Sequence, residues 1–193
     1  MEPRGLYKDI LGLENETLVQ ELATVTQRKC FKEGELLFHT GEISNYIYFL
    51  EHGVVRGVLL DVDGKDITDC LVFRCGEAVM ASFDRLELDI PSSYSVEVLE
   101  DSCFFCVPME KIVELKQKYF DVAVLHNQLL IAALEEHRET KLALYQFSAV
   151  ERYQWFLKKY PDLINRIHNK QIASFLGMTP VTLSRLRRNL RGK

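Results

Sequence analysis

Long apolar runs are missing from this sequence. Its 193 residues contain no stretch of about 18 consecutive apolar residues, which a membrane-spanning helix would need. The opening residues, MEPRGLYKDI, lack the apolar core of a secretory signal peptide. Internal repeats and low-complexity tracts are also lacking. These absences predict a soluble, cytoplasmic protein, and the length suffices for one large domain or two small ones.

Clustered metal ligands and catalytic pairs are missing too. A cupin-type metalloenzyme, which is the enzyme alternative for a small β-barrel, needs a His-x-His cluster beside a carboxylate. The histidines here stand apart from one another: His39, His52, His126, His137 and His168. Since no nucleophile stands beside a base either, the sequence predicts no enzyme, no metal site and no cofactor.

Cysteine is scarce, and the five cysteines are an odd number. Without a secretion signal, we expect reduced and mostly buried thiols. Cys103 and Cys106 would point to opposite faces of a strand, which disfavours a zinc knuckle or a redox pair between them. Cys70 and Cys75 flank a turn and could approach each other, although buried structural thiols are favoured. Haem sensing by single histidines and cysteines stays open.

Net positive charge is confined to the end of the chain. The formal net charge is −4. Residues 151–193 contain ten Lys and Arg against two Asp and Glu, a net charge of +8, which leaves −12 for residues 1–150. An acidic body with a basic end indicates a polyanion-binding module attached to something else.

The pattern of apolar residues changes twice along the chain. Residues 14–26 have the period of a short helix that Glu14 or Asn15 can start. Short runs rich in Val, Ile, Leu, Phe and Tyr then alternate with glycine turns, which is typical of an antiparallel sandwich or barrel. The best hairpin turn is DVDGKD, because Gly64 accepts a positive φ.

Helical periods return after Pro108, with one helix in MEKIVELKQKYF and a longer one over residues 119–147. The long helix carries an apolar stripe at spacings of three and four: Val122, Leu125, Leu129, Ala133, His137, Thr140, Leu144 and Phe147. Such a stripe must be buried. We favour the same helix of a second subunit as its partner, and packing on the protein's own barrel is the alternative. A further helix begins at Ser148 and stops at Pro161.

The last segment, QIASFLGMTPVTLSRLRRNLRGK, has the arrangement of a helix-turn-helix. Gly177 ends the first helix, and Thr179 and Pro180 are good starting residues for the second, which should run to about Leu190. Such a helix fits the major groove of DNA. Candidate DNA contacts are Thr179, Val181, Thr182, Ser184, Arg185, Arg187, Arg188 and Arg191. Arg185 is the candidate for reading guanine, while the other arginines would neutralise phosphates. The alternative is a helical hairpin used for packing, which would not need this many arginines.

Taken together, these segments resemble the Crp/Fnr family of bacterial transcription regulators. The resemblance lies in KEGELLFHTGE, YIYFLEHGVVRG, a Gly-Glu pair, SVEVLEDS and NKQIASFLGMTPVTLSRLRR, in that order. It implies an α+β fold with three parts: a cyclic-nucleotide-binding-like antiparallel β-roll of the jelly-roll type (1–118), a long dimerisation helix (119–147) and a helix-turn-helix domain (148–193). Family members usually add a β-hairpin wing after the last helix, and since only three residues follow Leu190 here, we expect a domain without a wing.

As in that family, we expect an effector-responsive homodimer that binds a palindromic operator in double-stranded DNA. The resemblance also implies a hinge near Phe147 and Ser148, and it leaves RNA polymerase as a further candidate partner. A family member with an iron–sulfur cluster would need clustered N-terminal cysteines, and here Cys30 stands alone. The functional alternative within the resemblance is a small-molecule-binding regulatory module that does not bind specific DNA sequences.

The resemblance places an effector site at the Gly-Glu pair, Gly76 and Glu77. Cyclic-nucleotide binders follow this pair with Arg-Ser or Arg-Thr, and the arginine neutralises the cyclic phosphate. Here Ser92 and Ser93 occupy those positions, and Arg85 is the one arginine in the connection. Serine offers a neutral hydrogen bond in place of a bidentate ion pair, so we expect no tight binding of cyclic AMP. The effector is unknown.

His137, on the apolar stripe of the long helix, is a further candidate effector contact. In the family, contacts from the dimer seam reach up to the effector from this region. The functional interpretation is an effector contact or a pH-sensitive contact between subunits. A solvated or locally hydrogen-bonded residue at the seam is the alternative, and it is slightly favoured.

Overall fold

Antiparallel strands form a β-roll in the first 108 residues. The computed structural model describes residues 1–81 and 88–191, without the side chains of 190 and 191. The strands are β1 (Gln27–Phe31), β2 (Leu36–Phe38), β3 (Tyr46–Leu60), β4 (Asp66–Val72), β5 (Ala78–Val79) and β6 (Ser95–Pro108). The sheet has the order β1-β6-β3-β4, and in addition β2 pairs with β6 and β5 with β3. With the helices that flank this roll, the predicted α+β class is confirmed.

The hairpin between β3 and β4 forms at the turn predicted from its sequence. Gly64 has a φ of 74°, which a residue without Cβ adopts at little cost. Asp61 Oδ1 accepts hydrogen bonds from the backbone nitrogens of Asp63 and Lys65, each at 2.9 Å. The local side-chain contacts therefore hold the chain in the turn that sets the register of the two strands.

Helices precede and follow the strands. They are α1 (Pro3–Gly5, continued by a π-helical turn at Leu6–Ile10), α2 (Glu16–Val25), α3 (Met109–Lys118), α4 (Phe120–Gln146), α5 (Ala149–Lys159), α6 (Asn169–Phe175) and α7 (Pro180–Arg191). Asn15 caps α2, and Ser148 forms a capping box with Glu151 at the start of α5. Within the described ranges, no helix combines the length and the hydropathy that a membrane span requires.

The apolar core of the roll is divided by the sheet. Inside the roll, Phe38, Tyr48 and Phe104 are almost fully buried, and the rings of Tyr48 and Phe104 meet edge to face with centroids 6.0 Å apart. Outside it, Phe49 and Phe105 pack with residues of α2, α3 and the start of α4. The roll and its flanking helices are thus joined by apolar packing on the outer side of the same strands.

The first part of the predicted apolar stripe of α4 packs on its own chain, whereas His137 and Phe147 of the same stripe are exposed. Val122 is buried, and Leu125 and Leu129 pack on the core that includes α2 and α3. Ala133 and His137 line a cavity of the roll. This part of the stripe therefore packs on the protein's own roll, which was the alternative, and a second subunit as the partner of the helix stays a prediction. A different set of apolar residues on α4 is exposed: Phe120, Val124, Ile131, Leu134, Leu142 and Tyr145.

The C-terminal helices α5, α6 and α7 pack on the roll of the same chain. Phe156, Tyr160 and Ile172 belong to a buried cluster that also contains Val54 of β3 and Leu71 of β4. Burial of these side chains is the main stabilising contribution at this contact, because each fully buried large apolar side chain is worth roughly 1.5–3 kcal/mol.

Polar contacts fix the position of these helices on the roll. Arg166 donates to the Glu100 carboxylate from Nε at 3.1 Å and from Nη2 at 2.5 Å, and Nη2 also donates to the Gly53 carbonyl at 3.0 Å. Ser174 of α6 accepts a hydrogen bond from the backbone nitrogen of Thr68 in β4 at 2.9 Å. The first helix of the C-terminal pair therefore lies directly against strand β4.

Two of the cysteines form a disulfide. Cys30 of β1 and Cys103 of β6 are opposite each other in the strand register, and their sulfurs are bonded. The prediction of reduced thiols throughout is wrong for this pair. The other cysteines, Cys70, Cys75 and Cys106, are free.

Candidate effector cavity and nucleic-acid interface

A cavity of about 310 Å³ lies between the roll and the second half of α4. Its walls are mostly apolar, with Val55, Val72 and Val96 from the strands and Leu129 and Ala133 from the helix. The volume is at the lower end of the range for small-molecule sites, about 300–1,000 Å³.

One edge of the cavity is built by the turn after β4. Glu77 Oε2 accepts hydrogen bonds from the backbone nitrogens of Phe73 and Arg74, each at 2.8 Å. Glu77 Oε1 also pairs with Arg74 Nη1 at 2.9 Å. Gly76, with a φ of 86°, allows the chain to reverse, and its nitrogen donates to the Leu50 carbonyl at 2.8 Å. Both oxygens of the Glu77 carboxylate are therefore already bonded, one to the backbone of the turn and the other to the Arg74 side chain.

The opposite edge of the cavity is formed by carboxylates of α4. Glu135, Glu136 and Glu139 line it together with His137. Glu136 pairs with Lys159 at 3.0 Å, and it accepts a short hydrogen bond from the hydroxyl of Tyr160. Lys159 bonds Glu139 as well. Since Lys159 and Tyr160 lie at the end of α5, the C-terminal helices contact side chains of the cavity wall directly.

Two uncharged polar groups of the cavity wall are half-buried. Burial is the main cause that raises the pKa of the Cys70 thiol to about 12, and the nearby Asp69 carboxylate adds to it. Burial also raises the pKa of Tyr94, whose hydroxyl donates to the Met80 carbonyl at 2.7 Å. The thiol and the phenol are therefore neutral near pH 7 and add no negative charge to the site.

The two serines of the predicted effector site are not among the residues that line the cavity. Ser92 is 2% exposed; its hydroxyl donates to the Tyr94 carbonyl at 2.6 Å, and its backbone bonds Gly41 and Glu42. Ser93 is exposed. The structure thus brings Glu77 and His137 to one cavity, places Gly76 beside Glu77, and uses Ser92 to hold a turn. Arg85 lies outside the described residues.

Several cavity residues were not foreseen from the sequence, above all Arg74, Cys70, Tyr94 and Glu136. Arg74 had a detectable signal, because it stands three residues before Glu77 in FRCGE. The contact between Glu136 and Tyr160 had none, since it depends on how α5 packs against α4.

The C-terminal pair of helices has the predicted helix-turn-helix form. Gly177 has a φ of 60°, and Met178 donates its backbone N–H to the Ala173 carbonyl at 2.9 Å, which closes the end of α6. Thr179 caps α7 by accepting from the backbone nitrogen of Thr182 at 3.1 Å. Leu183 is fully buried between the two helices.

The outer face of α7 is exposed to solvent. Thr179, Val181, Ser184, Arg185 and Arg188 are exposed, with 59% of Val181 accessible. Two further candidates are half-buried: Thr182 is bonded to Thr179, and Arg187 donates to the side-chain oxygen of Asn169 in α6. The side chain of Arg191 lies outside the described residues. The face that carries most of the candidate DNA contacts is therefore not covered by the roll.

Comparisons with known proteins agree with this architecture. Residues 28–119 match the family model of the cyclic nucleotide-binding domain. A search of curated proteins gives no match. Among solved structures, FixK2 from Bradyrhizobium japonicum has a TM-score of 0.76 at 20% identity, covering 87% of this chain and 85% of that one.

Two further structures extend the likeness. The c-di-GMP-responsive global regulator CLP from Xanthomonas campestris has a TM-score of 0.73 at 14% identity, with 92% of each chain covered. A CRP-family transcriptional regulator from Thermus thermophilus has a TM-score of 0.67 at 21% identity, with 84% of each chain covered. Residues 28–119 are thus similar to cyclic nucleotide-binding domains, and the resemblance to the Crp/Fnr regulators is confirmed in the fold.

Proposed function

We propose that this chain, with its cyclic nucleotide-binding-like domain and Crp/Fnr fold, is a dimeric transcription regulator that binds DNA through α7 and a small effector in the cavity. The observation that carries the proposal is the exposed basic face of α7. The opposite face of α7 is buried on α6, and α6 in turn packs on β4. A helix held from behind, with free side chains in front, suits insertion into the major groove.

The surroundings of the α7 side chains separate those suited to contact base edges from those suited to contact phosphates. Arg185 is exposed and can form the bidentate contact with a guanine edge that arginine favours. Val181, at the start of the helix, can contact a thymine methyl group. Arg187 is held by Asn169 and is therefore better suited to a phosphate at a fixed position.

The second subunit is proposed to pack on the exposed stripe of α4. Phe120, Val124, Asn127, Ile131 and Leu134 alternate at spacings of four and three, which is the heptad spacing of a coiled coil. Asn127 in this seam would fix the register, as a single polar seam residue does in other coiled coils. For a palindromic site, the two α7 helices of this dimer would have to lie about 34 Å apart.

The charges around the cavity disfavour a phosphate-bearing effector. Arg74 is paired with Glu77, and three more carboxylates stand on the opposite wall. A bound phosphate would have to compete for Arg74 and would face these carboxylates in a site partly shielded from water. An uncharged or cationic, largely apolar molecule fits the walls better. Binding of cyclic AMP at micromolar or tighter affinity in calorimetry would contradict this assignment.

The DNA-binding proposal is tested by a gel shift with DNA upstream of the protein's own gene, over a range of salt concentrations. Arg185→Ala is expected to relax the preference at one base pair by about 1–3 kcal/mol. Arg4→Ala is the matched control, because Arg4 is exposed and pairs with Glu16 in the N-terminal region. Equal weakening on all sequences would make Arg185 a phosphate contact, and unaltered binding would remove α7 from the interface.

The dimer is tested by sedimentation equilibrium of Leu134→Glu. Leu134 is 66% exposed in the single chain, so a glutamate costs little there but would bury a charge in the proposed seam. Val62→Glu is the control, since Val62 is fully exposed at the β3–β4 turn. We expect monomers for the first variant and dimers for the second. A dimeric Leu134→Glu protein would place the interface elsewhere.

A further inference from the structure

Three neighbouring strands carry potential metal ligands in one row. In the strand register Cys103 of β6 is opposite Cys30 of β1 on one side and opposite His52 of β3 on the other. Directly paired residues of antiparallel strands point to the same face of a sheet. The sheet therefore gathers two sulfurs and one imidazole on one face, although their positions in the sequence are far apart.

A carboxylate completes this cluster. Ligand atoms of Glu51, His52 and Cys103 all lie within 4.8 Å of one another, and the sulfur of Cys30 is bonded to that of Cys103. Bonds of about 2.0–2.3 Å to a tetrahedral Zn²⁺ require ligand atoms about 3.5 Å apart, so shifts of roughly 1 Å would suffice. Such shifts are feasible for His52 and Cys30, because both are exposed.

The cluster also suits Zn²⁺ in charge and ligand type. Two thiolates balance the charge of the ion, and thiolate and imidazole are ligands that zinc prefers to oxygen-only sets. Glu51 adds one negative charge, and it already accepts hydrogen bonds from Arg28 Nε at 2.7 Å and from the amino group of Met1 at 3.1 Å. These contacts hold the carboxylate in place, and a carboxylate keeps lone pairs for a further bond.

We propose that Cys30, Cys103, His52 and Glu51 form a Zn²⁺ site in the reduced protein, and that the Cys30–Cys103 disulfide closes this site. In the disulfide neither sulfur can become a thiolate, which is the form that binds metal. With a phosphine reductant, the phosphine is oxidised to its oxide with the oxygen of one water, and the two hydrogens of that water end on the two sulfurs. Zn²⁺ then displaces both thiol protons into solvent.

The test uses the full chain with Co²⁺ as a spectroscopic probe for Zn²⁺. The protein is reduced with tris(2-carboxyethyl)phosphine, freed of excess reductant under nitrogen, and titrated with Co²⁺. We expect one ion per chain, with the visible bands of tetrahedral Co²⁺ and a thiolate-to-metal charge-transfer band. Zn²⁺ should abolish both signals, and the oxidised protein should show neither.

Substitutions identify the ligands. Cys30→Ser, Cys103→Ser and His52→Ala should each weaken Co²⁺ binding by at least about tenfold, since even partners outside the ligand set are commonly worth 10- to 100-fold. His39→Ala is the control at an exposed position outside the cluster and should bind as the wild type does. Equal binding by the oxidised and reduced wild type would overturn the proposal without any variant, and so would unchanged binding in His52→Ala.

Discussion

The hydroxyl of Tyr160 should couple the C-terminal helices to the cavity wall. Tyr160 is 1% exposed at the end of α5, and its hydroxyl donates to the Glu136 carboxylate of α4. Burial, followed by the Glu136 carboxylate, raises the pKa of the phenol above its usual range, so the group stays a donor at all ordinary pH values. Tyr160→Phe removes this one O–H and keeps the ring in its packing.

The expected loss of stability follows from the surroundings of the two groups. A hydrogen bond to a charged partner contributes about 1.5–3 kcal/mol in protein mutational series. The Glu136 side chain is 32% exposed, so water can replace part of the lost bond, and Lys159 remains as its partner. We therefore expect Tyr160→Phe to lower the free energy of unfolding by about 1–2 kcal/mol.

Urea unfolding followed by fluorescence measures this loss, because the single tryptophan, Trp155, has its ring centroid 5.6 Å from that of Tyr160. A double-mutant cycle of Tyr160→Phe with Glu136→Gln should give a coupling energy of about 1 kcal/mol. Glu139→Gln is the matched control, since Glu139 also bonds Lys159. A coupling below about 0.3–0.5 kcal/mol for Glu136, the usual error of additivity, would refute the reasoning.

Other predictions concern the roll and the hinge. Gly53→Ala should destabilise the fold by more than about 3 kcal/mol in urea unfolding, because Gly53 has a φ of 120° and a Cβ there would lie 1.9 Å from Ser102 Oγ; a well-folded variant would contradict this geometry. Ser148→Ala removes half of the capping box with Glu151 and should cost about 1 kcal/mol in the same assay, whereas Ser148→Asp should not. In the folded state the pKa of Cys70 is about 12, while the unfolded chain releases this proton above about pH 9. The free energy of unfolding should therefore fall as pH rises from about 8 to 10. We expect this fall to be about 1 kcal/mol larger in the wild type than in Cys70→Ala. Equal pH dependence of the wild type and Cys70→Ala would show that the thiol is not desolvated.

Much of the fold could be predicted from the sequence because its turns, helix starts and element types are marked by residues close together in the chain. The change from short strands to helical period, the turn at Gly64 and the caps at Asn15 and Ser148 each depend on neighbours within four residues. What covers each face of α4 is not a local signal. A 27-residue helix can carry apolar residues on two faces, and periodicity shows that a face is buried without showing what covers it. The stripe with Leu125 and Leu129 covers the roll, and the exposed stripe is a separate one.

The candidate sites also differ in whether their signals are local in the sequence or depend on packing between distant segments. Glu77 was found because it belongs to a short motif in the sequence, and the helix pair of α6 and α7 because its turn and caps are local. The Cys30–Cys103 pair was missed because it depends on the register of β1 and β6, and the two cysteines are 73 positions apart in the sequence. Ser92 was assigned to the effector site from its position in the cassette, and what holds it instead is a backbone turn that the sequence does not reveal.

In the proposed regulator, elements shared by the cavity and the C-terminal helices would connect a bound effector to α7. Leu71 of β4 lines the cavity and also belongs to the cluster that packs on the C-terminal helices, while Thr68 of the same strand donates to Ser174 of α6. Likewise Glu136 lines the cavity and bonds Tyr160 of α5. A ligand that changes the position of β4 or competes for Glu136 therefore acts on these contacts directly. A ligand shifts the equilibrium between two positions of the C-terminal helices only if it binds one position more tightly than the other. An effector that changes neither the β4 contact nor the Glu136 contact would therefore bind without altering DNA binding.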